Sequence, residues 1–448
     1  MIPLSDVNFS NALPQLAGLV FETFGTEALN NGVFVRDGFG RLSFYAPMNV
    51  KQIIKRSFDR SAKRALGLHV SPVGVLHDID SPSYENVMAS PKFCVKLSMA
   101  HADGTVNLVD RRFFGRDWLE SPVAPKDGLA PIMVFNSIKG GVGRSTALFV
   151  LSIALSRYGK NVLLVDLDLE APGLGSLIFQ DDGPAFGVVD YLVESALGGV
   201  RDADLPLFVG SSKLTDRDVG QGRVDLIPAT GAETAANPRS MMAKLSRALI
   251  DAPGGSGEPQ SLMQKVSEMI ERIAATSQYD AILVDARAGL SEITASPILG
   301  LGAINLFFAT DHPHSFEGYR YLLSHLSMLA VGDSETDWRR RVHFVHAKAK
   351  ASAEARDAFD DRLYEVLAET FYEFDEGEEV FNFSYDDKLA PHAANRIFFS
   401  SEFVDADPLK SPELLEEDVF NAAFGSFLNA TFDLLGLDGE RTDESAAF

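Results

Sequence analysis

IMVFNSIKGGVGRSTALFVLSIALSR, residues 132–157, is the stretch that decides the fold. Ile132 to Phe135 is a short apolar run that reads as a buried strand, and Thr146 to Arg157 reads as a helix. Between them stands Lys139-Gly140-Gly141-Val142-Gly143-Arg144-Ser145-Thr146. A strand, a glycine-rich loop and a helix in that order make a phosphate cradle. Glycine suits a backbone that curls around phosphate oxygens, because its N–H groups point inward where a Cβ would obstruct close approach. The helix that follows adds the partial positive charge of its N-terminus. Ser145 stands where a hydroxyl ligates Mg²⁺, and Thr146 is within reach of a phosphate. The usual pattern ends Gly-Lys-[Ser/Thr]; here Arg144 takes the lysine position. Its guanidinium is always charged and grips two oxygens at once, but it is bulkier and planar. Two readings stand at this point: a hydrolysing site, or a nucleotide-binding scaffold with little turnover.

Two segments further along carry acids beyond apolar runs. Asn161 to Gly175 reads NVLLVDLDLEAPGLG, with Asp166 and Asp168; Tyr279 to Leu290 reads YDAILVDARAGL, with Asp285. Carboxylates just past a strand end hold metal and water near a terminal phosphate. Other buried-strand candidates are Val224–Ile227, Ile304–Ala309 and Val342–Val345. Helical stretches separate them, among them Ser261–Ala275, Phe316–Leu329 and Ala353–Phe371. Apolar strands alternating with helices imply an α/β fold, a doubly wound and mostly parallel sheet covered on both faces.

Lys139 ahead of Gly-Gly-Val-Gly narrows the family. The segment resembles the deviant Walker A ATPases of the ParA/MinD type, in the SIMIBI class of P-loop proteins. It is most similar to a bacterial subgroup whose loop reads Lys-Gly-Gly-Val-Gly-Arg. The resemblance covers roughly residues 130 to 350 and implies ATP with Mg²⁺ as ligand. It implies that Lys139 is a signature lysine reaching the phosphates of a partner subunit in an ATP-bound dimer. It places Asp166 near the magnesium shell with Ser145 and the Walker B acid Asp285. Asp168 then positions the attacking water, alongside the catalytic cations Lys139 and Arg144. Gly289 gives its N–H to the γ-phosphate. Arg287 stands where relatives often carry proline. Adenine contacts are expected at Phe307–His312 and Val342–Lys348. The implied function is an ATP-driven switch, a nucleotide-dependent homodimer that controls a protein partner.

The rest of the chain frames this engine. At 448 residues it exceeds one ordinary core. Residues 1 to about 125 read as a small α+β domain, followed by a Pro/Gly-rich linker at Pro122–Pro131 and an ATPase domain over 126–448. In the first block, Leu13–Phe24 reads as a helix, and Gly32–Val35 and Arg41–Tyr45 read as strands around an Asp-Gly turn. Phe93–Ser98 with Thr105–Val109 reads as a hairpin. Val50–Leu66 reads as a helix with Ile53, Ile54, Phe58, Ala62 and Leu66 on one side and a basic face on the other. One cysteine, Cys94, excludes an intrachain disulfide and paired-cysteine metal or iron–sulfur sites within one chain. With no membrane span or leader pattern in the sequence, the expectation is a cytoplasmic protein that does not bind membranes.

Net charge is −23, unevenly spread. Residues 1–130 hold 14 basic and 13 acidic side chains, whereas residues 351–448 hold 6 and 25. That field disfavours contact with phosphate backbones and anionic lipid. The bland reading of the acidic end is a solvated extension outside the common fold. The basic face at Lys51–Arg64 and the run Arg339-Arg340-Arg341 keep nucleic-acid contact as an alternative to ordinary solvated surface. His312, His314, His343 and His346 lie near strand ends without ligand spacing and read as satisfied or exposed histidines. Val419–Leu435 carries Phe420, Phe424, Phe427 and Phe432 but no lysine or arginine, so it is expected to pack on the body of the protein or a partner rather than on a membrane. Asp251–Pro259 reads as a mobile loop and Glu440–Phe448 as a frayed tail.

Overall fold

The computed structural model describes residues 6–98, 103–179, 183–214, 222–253, 259–329, 331, 336–373, 380–404, 410–411, 414 and 416–437. Most of the loop expected at Asp251–Pro259, and the whole tail Glu440–Phe448, lie outside the described residues. The chain divides into two compact units, residues 1–119 with 328–330, and residues 120–327 with 331–448.

The first unit runs α1 (Phe9–Asn31), β1 (Val33–Arg36), β2 (Leu42–Tyr45), α2 (Gln52–Leu66), β3 (Leu76–His77), α3 (Tyr84–Ala89), β4 (Phe93–Ser98) and β5 (Asp103–Asp110). Its sheet has the order β3-β2-β1-β5-β4. The β1–β2 turn is held by Asp37, whose Oδ1 accepts the N–H groups of Phe39 (2.9 Å) and Arg41 (2.8 Å). Helix α1 kinks at Gly25, where φ is +79°, so the expected helical run stops at Phe24 for a steric reason. In α2, Phe58, Ala62 and Leu66 are buried, but Ile53 and Ile54 are 75% and 38% exposed. Their expected place on the apolar side is corrected: the first turn overhangs a core that begins at Phe58.

In the second unit the elements follow as β6 (Ile132–Ser137), α4 (Arg144–Arg157), β7 (Val162–Leu167), α5 (Leu174–Ile178), α6 (Val188–Ala196), β8 (Gly210–Ser211) and β9 (Val224–Ile227). Next come α7 (Ala232–Ala236), α8 (Met241–Ala248), the short pair β10 (Ala252–Pro253) and β11 (Pro259–Gln260), α9 (Leu262–Ala274) and β12 (Ala281–Ala286). The rest are α10 (Glu292–Gly300), β13 (Ile304–Ala309), α11 (Pro313–Leu326), β14 (Val342–Ala349), α12 (Ala353–Thr370), β15 (Asn395–Phe398) and α13 (Glu417–Leu434). The main sheet has the order β15-β14-β13-β6-β12-β7-β9-β8. Every pairing is parallel except β8 with β9.

Period-two alternation explains why the strands read as unbroken apolar runs. Met133, Phe135, Leu164, Leu283 and Phe308 pack on one face, with α4 and α13. Ile132, Val134, Leu163, Val165, Ile282 and Val284 pack on the other, with α6 and α9. Within the acidic end, expected as an extension outside the common fold, β15 forms the sheet edge beside β14. Helix α13 buries Phe420, Phe424, Phe427 and Phe432 in the first of those cores, as its apolar sequence required.

Candidate nucleotide-binding site

The loop between β6 and α4 needs glycine for backbone reasons. Gly141 and Gly143 have φ of +73° and +97°, a region that costs any L side chain. No atom stands within 4 Å of a Cβ built on Gly140, Gly141 or Gly143, so the constraint there is conformational and the concave side is open. Val142 is buried in the core and anchors the loop. Helix α4 starts at Arg144 with no side chain capping it, leaving its first N–H groups facing the loop. Lys139 is exposed, and its carbonyl accepts the Ser137 hydroxyl at 2.7 Å.

Arg144 turns inward. It is 6% exposed; its Nη1 donates to Ser137 Oγ (3.1 Å), its Nη2 lies 3.3 Å from Asp168 Oδ2, and its Nε lies 3.5 Å from Asp285 Oδ1. Ser145 Oγ donates to Asp285 Oδ2 at 2.5 Å. Asp166 sits beneath, accepting the N–H of Asp168 on Oδ1 (3.0 Å) and those of Gly173 and Leu174 on Oδ2 (3.3 and 3.2 Å). Both its oxygens hold the loop that carries Asp168. Burial, and repulsion from Asp285, push the Asp166 carboxyl well above the usual range. Burial also raises Asp285 and Asp168, against the pull of Arg144. Arg287 forms an ion pair with Glu170 and so bridges the two acid-bearing loops.

One expected donor is spent. The N–H of Gly289 donates to the Ser137 carbonyl at 2.9 Å, which corrects its reading as a free phosphate ligand in this arrangement. A cavity of about 310 Å³ opens beside the loop, lined by residues 141–146, Lys348, residues 397–400, Phe403, Val404 and Phe424. Of the two stretches expected to contact adenine, Lys348 lines this cavity. Phe307 and Phe308 are core residues. Lys348 adopts a left-handed φ of +56° and its Nζ donates to the Gly141 carbonyl (2.7 Å), tying β14 to the loop. The aromatic wall from β15 and α13 was missed because no motif marks it.

The donor set suits Mg²⁺. A hydroxyl and a carboxylate meet at Ser145 and Asp285, and the buried Oδ1 atoms of Asp168 and Asp285 have no hydrogen-bond partner. Among the described residues no three acids, histidines or cysteines converge as a metal cage. A phosphate-bound Mg²⁺ needs only one or two carboxylates.

Of the other flagged side chains, His346, Arg339 and Arg341 are held in the scaffold, whereas His312 and His314 are exposed. His346 is buried, 2.7 Å from Asp311 and stacked on Phe359; burial pushes His343 down to about 4. The arginine run is not a free basic patch. Arg339 is locked to Asp337 and Glu373 and lies over Phe381, and Arg341 donates to the Val123 carbonyl. In the first unit Arg56, Arg60, Lys63 and Arg64 of α2 are exposed. Among the described residues no helix is long and apolar enough to cross a membrane.

Fold and loop together set a glycine-rich phosphate loop between a strand and a helix of a mostly parallel α/β sheet. Residues 133–300 match the family described as the CobQ/CobB/MinD/ParA nucleotide binding domain, and the chain carries that domain. An uncharacterized ATP-binding protein of Methanocaldococcus jannaschii is 25% identical over 174 residues, covering 38% of this chain and 62% of its own. The cytosolic Fe-S cluster assembly factor CFD1 of Chaetomium globosum is 27% identical over 191 residues, covering 39% and 60%. The chain thus spans less than two thirds of the length of these relatives. The septum site-determining protein MinD of Pyrococcus horikoshii, solved with Mg-ADP, aligns with a TM-score of 0.40 at 16% identity, over 69% of this chain and 98% of that one.

Proposed function

We propose that the second unit binds ATP with Mg²⁺, that two subunits close around the nucleotide, and that hydrolysis releases them. The product is a cytoplasmic molecular switch that controls a partner protein or complex. The observation that carries this reading is the open, glycine-built loop beside the Ser145–Asp285 pair, with exposed Lys139 at its head. In this reading Gly140 to Thr146 hold the phosphates, and Ser145 and Asp285 hold the metal with Asp166 behind them. Bound Mg²⁺ would neutralise charge on the phosphates. Asp168 orients water, while Lys139 reaches the other subunit. The aromatic wall at Phe398, Phe399, Phe403 and Phe424 takes the base. Residues 1–125 and the surface of the acidic end engage the effector.

A second reading, a nucleotide-binding scaffold with little hydrolysis, draws support from Arg144, whose guanidinium is already engaged with Asp168. Phosphate release by the purified full chain, with Asp168→Ala as control, separates the two. Turnover no higher than the control favours the scaffold. Light scattering with a non-hydrolysable ATP analogue tests the dimer, and Lys139→Ala should abolish it. An iron–sulfur cargo held by paired thiolates forms no part of this reading, because Cys94 is the chain's single cysteine.

A further inference from the structure

Three acids crowd this site against one buried cation. Asp166 and Asp285 are 1% and 2% exposed, Asp168 is partly buried, and among the described residues Arg144 forms ion pairs with two of them. Uncompensated charge at that depth is costly, so the guanidinium has a structural duty whatever else it does. Its grip is nevertheless loose. Elsewhere in the same unit Arg339 is held by Asp337 at 2.7 to 3.0 Å and by Glu373 at 2.6 Å, a closed fork. Arg144 stays 3.3 and 3.5 Å from its acids, and the Oδ1 atoms of Asp168 and Asp285 keep unspent lone pairs. The Asp285 carboxylate, with Ser145 Oγ, offers the hard donors a divalent cation would take. A divalent cation there would lie within a few ångströms of the guanidinium and be repelled by it.

We propose that Arg144 is the resident counter-ion of the carboxylate cluster and must leave it before a divalent cation binds, so that a polyphosphate, and not free metal, opens the metal site. The proposal rests on the Mg-nucleotide reading for the identity of the metal ligands. It assigns Arg144 a positioning role that lysine would fill less well, because the guanidinium reaches Ser137, Asp168 and Asp285 through three separate nitrogens of a rigid fork and an ammonium offers only one.

The probe is Mn²⁺, followed by electron paramagnetic resonance on the full chain without nucleotide. Wild type should bind it weakly, Arg144→Gln at least tenfold more tightly, and Arg144→Lys in between. Adding Asp285→Asn to the Arg144→Gln chain should remove the gain. The proposal is overturned by wild type taking up one Mn²⁺ that Asp285→Asn abolishes, or by a folded Arg144→Gln chain binding within twofold of wild type. Should Arg144→Gln fail to fold by circular dichroism, the wild-type and Arg144→Lys measurements decide. A parallel titration with ATP keeps the two ideas apart: a metal gain in Arg144→Gln without nucleotide binding to wild type upholds the counter-ion and defeats the Mg-ATP reading.

Discussion

Two phenylalanines one helical turn apart on α13 allow fold and site to be tested separately. Phe427 is fully buried, with its ring 6.3 Å from Phe135 and 6.1 Å from Phe308. Phe424 is 3% exposed, lies 5.0 Å from Phe403 and lines the cavity beside the phosphate loop. Truncating a buried phenylalanine to alanine costs ~3–5 kcal/mol through lost burial and an unfilled hole. Phe427→Ala belongs at the upper end, since two aromatic neighbours on β6 and β13 lose their partner. Phe424→Ala belongs at the lower end, because the void merges with the cavity. For binding, Phe424→Leu retains bulk but loses the flat face, and base–aromatic contact is worth ~1–3 kcal/mol, a rise in nucleotide Kd of about five- to 150-fold. Urea unfolding monitored through buried Trp338, which lies in the same unit, measures the first effect; a fluorescent ATP analogue measures the second. A cost below ~1 kcal/mol at Phe427 would refute the integral role given to α13. Equal loss of nucleotide affinity in Phe427→Leu and Phe424→Leu would refute the placing of the base.

Further tests follow from single contacts and charges. Lys348→Gly relieves a left-handed φ that costs a side chain ~1 kcal/mol, but removes the bond to the Gly141 carbonyl; melting temperature should hold or rise while nucleotide affinity falls several-fold, and unchanged affinity would dismiss the clamp. Asp166 and Asp285 have carboxyl pKa values raised in the folded state by burial, so they bind protons more tightly there than in the unfolded chain. Their stabilising effect is full below about pH 4 and is lost as pH rises toward neutrality; Asp285→Asn should flatten that slope in denaturant midpoints. If α2 of the first unit contacts nucleic acid, retention on a DNA or RNA column should fall steeply with salt and vanish in Arg56→Glu/Arg64→Glu, whereas absence of retention at low salt leaves the helix as solvated surface.

The centre of the sheet was legible because β6, β7, β12 and β13 are covered on both faces, and a strand so placed is apolar at most of its positions. The edge was not. Asn395-Arg396-Ile397-Phe398 has one buried residue in four, so nothing in its composition separates it from a loop. Acid at the C-terminal end hid a related fact: on α12 the acids Glu354, Asp357, Asp361, Glu365 and Glu369 are exposed, while β15 and α13 carry apolar residues inward. At the site, the order of loop and acids was readable because each lies at or just past the end of a strand. The state of the Gly289 N–H was not, since it depends on the Ser137 carbonyl on a different strand. Nor was the aromatic wall, which exists only once α13 closes on β15. Arg144 was visible as a departure from pattern, but its inward turn depends on where Asp168 and Asp285 come to rest.

The loop carries two cations, and its backbone sends them opposite ways. Lys139 is exposed, whereas Arg144 is buried among acids. Between them, Gly141 and Gly143 take left-handed φ values that reverse the chain sharply enough to separate the two side chains. An alanine at either glycine would have to leave that region or hold it at a cost of ~1–2 kcal/mol, so the divergence is fixed by local backbone and not by the ligand. The division has a functional consequence under the proposed reading. Charge on the outer face is free to meet a second subunit, and charge on the inner face is bound to the acids until a stronger anion competes for it. Assembly and metal uptake then answer to different residues of one loop, so loss of dimerisation in Lys139→Ala with cation binding intact is the pattern this geometry demands.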